Sequence, residues 1–138
     1  GGKVHGGTVM KWIDQAGYAC AVGWSGLYCV TVYVGGIRFL NPIRIGDLVE
    51  VKARIVHTGR SSMHIAVDVW ARDPKHPQAA TKTTHCIIVF VGLGQDNQPH
   101  PVPSWTPTDE ESLKMQVYAQ KLIELRSGIE AEMQEYRA

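Results

Sequence analysis

The alternation of apolar and polar positions divides the chain into six segments. From Gly7 to about Val22, apolar residues return at helical spacing. Val9, Ile13, Ala16 and Cys20 form a stripe, Met10 and Trp12 lie beside it, and Thr8, Lys11 and Gln15 occupy the opposite side. From Leu27 to Leu40 the period shortens to two, with Val30, Val32 and Val34 alternating with Cys29, Thr31 and Tyr33; this predicts a strand, and Gly35 and Gly36 mark a bulge or bend within it. Asn41 to Asp47, NPIRIGD, has the composition of a turn. Val49, Val51, Ala53 and Ile55 alternate, HTGRSS interrupts, and Met63, Ile65, Val67 and Val69 alternate again, which predicts an antiparallel hairpin. Thr81 to Gly92, with HCIIVFV at its heart, is apolar on both sides, so this strand is expected to be central or buried at a subunit contact. Beyond the proline-rich GQDNQPHPVP, a capping box from Thr108 to Glu111 opens a terminal helix whose stripe runs through Met115, Tyr118, Leu122, Leu125, Ile129 and Met133.

A helix that is apolar over more than half its circumference has to be buried, and an antiparallel sheet of four or more strands can curl around it. The order helix, four strands, helix therefore predicts an α+β domain. At 138 residues the chain suits one domain with a single substantial core. The division expected is residues 1–107 as that domain and 108–138 as a helical extension.

Charge adds modestly to this picture. Through Pro107 there are ten Lys or Arg against six Asp or Glu, a balance of +4; from Thr108 onward four stand against seven, a balance of −3, giving the net +1. Such a weak basic excess argues against a nucleic-acid partner, which calls for a strong basic stripe. No apolar run approaches the ~18 residues of a membrane span, and no export signal is visible, so a soluble protein is expected. Cys20, Cys29 and Cys86 are odd in number, widely spaced and set among apolar neighbours. They read as thiols in a reducing cytoplasm rather than as a disulfide framework.

One acid stands out in the first helix. Asp14 follows the pair Gly6 and Gly7 by seven to eight residues, and a helix places Gly7 and Asp14 on nearly the same side, about 10.5 Å apart. A helix start carries unpaired N–H groups, and glycine admits close approach, so Gly6, Gly7 and Thr8 suit a carbonyl oxygen gaining negative charge. If two copies of this helix run antiparallel across a two-fold axis, the amides of one meet Asp14 of the other. That pairing would add water to an acyl carbonyl, and burial of the acid against Met10, Gly17 and Ala21 would raise its pKa. The plain alternative is an ordinary boundary residue pairing with Lys11. His5 is read as shaping the start of the helix. The histidines lack a close metal-ligand spacing, so no catalytic zinc is expected, and neither a G-x-S-x-G elbow nor a phosphate-binding glycine loop occurs. Arg60, Ser61 and Ser62 either form a simple hairpin turn or contact phosphate.

Taken together, VHGGTVMKWIDQAG, the stretch from VTVYVGGIRFLNPIRIGD to MHIAVDVW, and FVGLGQDNQPHPVP resemble the hotdog-fold acyl-CoA thioesterases. The group concerned contains brain-type acyl-CoA hydrolase and its single-domain bacterial relatives, and the likeness runs from about Gly2 to Pro103. The resemblance implies a hotdog fold and hydrolysis of acyl-CoA to fatty acid and CoA, with no metal or redox cofactor, CoA being part of the substrate. It also implies a dimer of hotdogs assembling as a trimer of dimers, a hexamer. The family's essential acid falls on Asp14 and its oxyanion region on Gly6 and Gly7, with His5 and Thr8 beside them. Its CoA contacts fall on the strand edge at Val30 and Thr31 and on Arg60, Ser61 and Ser62. Lys3 stands where relatives carry a functional Asn, and the strand such folds place before the helix is expected upstream of Gly1. Two alternatives share the fold: a non-catalytic acyl-CoA sensor, for which no helix-turn-helix is evident, and a hydratase, which wants an Asp and His pair that His5 does not supply.

Overall fold

A computed structural model of the chain describes residues 2–137. Helix α1 (Gly6–Ser25) precedes four strands, β1 (Tyr28–Phe39), β2 (Leu48–Thr58), β3 (Ser62–Arg72) and β4 (Thr81–Leu93), and helix α2 (Glu110–Arg137) closes the sequence. The strands form one antiparallel sheet in the order β1-β4-β3-β2. The doubly apolar strand β4 is accordingly internal, covered by α1 on one face and α2 on the other.

Helix α1 buries Val9, Ile13, Gly17 and Ala21, a line repeating every four residues, against Cys29, Met63, Ile65, Val67, Ile88 and Phe90 of the sheet. The stripe expected through Ala16 and Cys20 is turned slightly: those two are half-buried, and the small residues Gly17 and Ala21 lie innermost. The reason is bulk, since the Phe90 ring occupies the space beside Gly17. Gly26 ends the helix in the left-handed conformation, φ +70°, its N–H donating to the Val22 carbonyl at 2.8 Å.

Helix α2 lies on the opposite face. Ala119, with Met115, Tyr118 and Leu122 beside it, packs on Val56, Ala66 and Ile87. The helix starts near β2, where Arg54 meets Glu111 at 3.3 Å, and crosses to β1, where the Arg126 guanidinium lies 4.7 Å from the centre of the Tyr33 ring. Its 28 residues extend about 42 Å, against roughly 19 Å for four strands side by side. The predicted stripe is therefore divided: its first half is packed, whereas Leu125, Ile129 and Met133 are exposed. The predicted capping box does not form. Asp109, not Thr108, caps the helix, its carboxylate accepting the Ser112 N–H at 2.7 Å, a geometry that a short acid next to the first turn makes as well as a threonine.

A polar group joins α2 to the middle of the sheet. His85 Nδ1 lies 2.6 Å from Asp68 Oδ1, His85 Nε2 lies 3.2 Å from the Tyr118 hydroxyl, and Lys82 Nζ is 3.5 Å from the same Asp68 oxygen. Burial works to raise the Asp68 pKa, but the His85 hydrogen bond and the charges of His85 and Lys82 outweigh it and hold the carboxyl below its ordinary range. All three cysteines are free thiols, Cys29 and Cys86 buried and Cys20 half-buried. No helix among the described residues is long and apolar enough to cross a membrane.

Candidate active site

The first turn of α1 is tight. His5 occupies the cap with extended backbone and offers no side-chain cap; its carbonyl accepts both the Thr8 N–H at 3.0 Å and the Val9 N–H at 3.2 Å. The Thr8 amide is therefore engaged inside the turn. The amides of Gly6 and Gly7 precede the first such bond and are the donors the helix leaves over. A side chain at Gly6 would lie 3.6 Å from the Phe39 ring, whereas at Gly7 it would meet nothing within 4 Å. Beside this turn Val4, Gly6, Val9, Phe39, Pro42 and Thr84 line an open cavity of about 220 Å³. Lys3 takes part in none of this; it bridges to Arg44 by backbone pairing.

Asp14 is exposed in the chain, not buried against Met10, Gly17 and Ala21 as expected. Gly17 and Ala21 lie on the side turned to the sheet, and Asp14 follows Ile13 by 100° around the helix. No Lys11 ion pair forms either among the described residues. The carboxylate is held instead from the sheet: the Thr31 hydroxyl donates to Asp14 Oδ1 at 3.2 Å. Thr31 stands on β1 opposite Phe90, on the face that α1 covers, and Val30 turns to the other face by strand alternation.

The turn at Arg60 is a true hairpin, with the Gly59 N–H donating to the Ser62 carbonyl at 3.0 Å. It is tied to the segment after β4, since the Gly92 N–H donates to the Ser61 carbonyl at 3.0 Å and the Val102 N–H to the Arg60 carbonyl at 2.8 Å. The backbone of this turn is thus structural, while the Arg60 side chain is exposed and makes no ion pair among the described residues. Ser62 and Val30 both pair with Val91, so the turn sits at the level of Thr31, two strands away, about 10 Å. The fold gathers Asp14, Thr31 and the Arg60 turn at one end of the sheet. Gly6 and Gly7 lie at the far end of the same helix face, about 10.5 Å from Asp14. A single copy therefore separates the amide donors from the acid.

The link from Thr31 to Asp14 spans seventeen residues, and no local pattern announces it. Among the described residues no group of His, Cys, Asp and Glu is arranged to hold a metal ion.

Comparison with known proteins adds a family. Residues 1–77 match the Thioesterase superfamily. The acyl-CoA thioester hydrolase YciA of Salmonella typhimurium is 32% identical over 104 residues, 74% of this chain and 78% of that protein. The crystal structure of an acyl-CoA hydrolase from Bacillus cereus superposes with a TM-score of 0.89 at 28% identity, covering 96% of this chain and 80% of that one. An apo-hexameric acyl-CoA thioesterase superposes equally well, TM-score 0.89 and 28% identity, over 94% and 83% of the two chains. With a family match over more than half its length, on a sheet wrapped around a central helix in the hotdog manner, the chain belongs to the thioesterase superfamily.

Proposed function

We propose that this enzyme hydrolyses fatty acyl-CoA to the free acid and CoA, at a site made by Asp14 of one copy and the Gly6–Gly7 helix start of a second. The observation that carries the reading is the exposed Asp14 carboxylate, anchored through one oxygen by the Thr31 hydroxyl at 3.2 Å. In thioester hydrolysis water adds to the carbonyl carbon, negative charge passes to the carbonyl oxygen, and the C–S bond breaks as the sulfur gains a proton. As general base, Asp14 takes that proton from water and returns it to the sulfur; as nucleophile, it forms an anhydride that water then opens. The Thr31 hydrogen bond serves either route, since it fixes one carboxylate oxygen and leaves the other to the reaction. The two glycine amides stabilise the oxyanion, and backbone donors of this kind are worth a large share of such a barrier. Arg60, whose side chain is exposed, is assigned to the CoA phosphates, with Ser61 and Ser62 beside it.

The sheet supports a second copy. Strand β1 is an edge, and its Tyr28, Val32, Val34 and Phe39 are exposed, an apolar edge of a kind that proteins keep covered or paired. Antiparallel pairing of β1 with its own copy would run two α1 helices in opposite directions and bring each acid towards the other's helix start. A homo-oligomer follows, a trimer of such dimers being the form that fits the hexameric relative. The three free thiols fit a cytoplasmic setting.

Release of CoA from palmitoyl-CoA, followed with a thiol reagent, tests the reading. Asp14→Asn and Asp14→Ala should lose ~100-fold or more in kcat, the usual order for removing general-base help. A rate for Asp14→Asn equal to wild type would contradict the assignment. Binding of palmitoyl-CoA without release of CoA would favour a sensor.

A further inference from the structure

A second cavity, of about 220 Å³, lies on the other face of the sheet beneath α2. Its walls are Ile87 and Val89 of β4 and Ala119, Leu122 and Ile123 of α2, and its polar groups are Tyr33, His64 and Arg126. The bulge in β1 lets the helix approach here: Gly36 has φ +60°, and a side chain on it would meet Leu122 at 3.3 Å. None of these residues belongs to the proposed thioester site, which is on the α1 face.

His64 is the second observation. It is 6% exposed, on the α2 face of β3, and its imidazole makes an edge contact with the His57 ring but no hydrogen bond among the described residues. No side-chain nitrogen or oxygen among the described residues is both fully buried and without a partner, so the unbonded ring opens into the cavity, where it can bond a ligand atom. Burial first, then the charges of His57 and Arg126, lower its pKa to about 4, so at neutral pH it is an uncharged N–H donor. Arg126 supplies the charge. Its guanidinium lies over Tyr33, and its ion pair is with Glu130 one turn on, at 3.3 Å and more than half exposed on the acid side. An exposed pair of that type is worth little and yields readily to a better-placed carboxylate.

From this geometry we propose that the cavity binds a medium-chain fatty acid anion, its tail on the Ile87, Leu122 and Ile123 wall and its carboxylate between Arg126 and His64. The size fits a short ligand. The cavity falls below the ~300 Å³ of ordinary small-molecule pockets. With a methylene taken at about the 30 Å³ of a liquid water, it holds a chain of roughly seven carbons. Such an acid is of the product class of the reaction proposed above. That relation to the reaction rests on the functional reading; the binding itself does not.

Isothermal titration of the full chain with sodium octanoate tests it. Wild type should bind with a dissociation constant on the order of 1 mM or tighter. Arg126→Gln, which removes the charge, should weaken binding ~10-fold or more, and octan-1-ol should bind wild type correspondingly weakly. Ile129→Trp, at a half-exposed position on the cavity wall, should obstruct the tail while leaving the fold intact. Loss of binding in Arg126→Gln and Ile129→Trp, neither at the thioester site, separates this cavity from product binding there. No binding by folded wild type, or binding unchanged in both Arg126→Gln and Ile129→Trp, would overturn the proposal. Octanoate binding in a protein that releases no CoA would uphold this site and remove the thioesterase reading alone.

Discussion

His64 shows what a single buried side chain does to the whole stability curve. Its native pKa of about 4 lies below the ~6.5 of an exposed imidazole, so between those values the unfolded chain binds the proton and the folded chain does not. Stability is therefore complete above about pH 6.5 and is lost as pH falls towards 4. This one group should remove roughly 2 kcal/mol between pH 7 and 4.5. Urea unfolding at the two pH values checks this: the pH-dependent loss should shrink by that amount in His64→Phe, and an equal loss in both proteins would contradict it. At this scale the sequence is partly legible. Asp14 stands out because a helix makes its distance from the glycines computable. Its partner Thr31 emerges only from the sheet, because the pair depends on how β1 returns beneath α1. The environment of His64 is equally invisible, since it depends on a helix sixty residues later.

Helix α1 illustrates how packing and propensity compete within one element. A β-carbon at Gly17 would stand 2.9 Å from Phe90 Cε2 and 3.2 Å from Cζ, and that ring is fully buried and has little room to move. At Gly23 it would meet nothing within 4 Å. Alanine gains about 1 kcal/mol over glycine in a helix interior, and overpacking a core costs typically 1–3 kcal/mol. Gly23→Ala should thus stabilise by up to about 1 kcal/mol, and Gly17→Ala should destabilise by about 1 kcal/mol after the two effects offset. Chemical denaturation of both variants decides it; stabilisation by Gly17→Ala would show that the ring gives way freely. Elements of this kind were legible from periodicity, including β4 as the internal strand. Missed details were those where neighbours choose between near-equal options. Asp109 takes the cap of α2 from Thr108, and the Phe90 ring selects glycine and alanine for the inner line of α1.

For the molecule as a whole, the central claim is that one chain does not hold a complete site. The amide donors and the acid of the proposed site lie about 10.5 Å apart on one helix, so that proposal calls for a second helix running the other way. The apolar β1 edge offers the place for it. Subunit complementation is the most direct test. Asp14→Asn keeps an intact glycine turn, and Gly7→Val, at a position with open space around it, keeps an intact acid. Each alone should be nearly inactive. In randomly mixed dimers half are hybrids, and one of the two sites in each hybrid joins an intact Asp14 to an intact glycine turn. Dissociating and reassembling an equal mixture should therefore restore about a quarter of wild-type CoA release. A mixture no more active than its separate components, with subunit exchange verified, would contradict a site shared between copies.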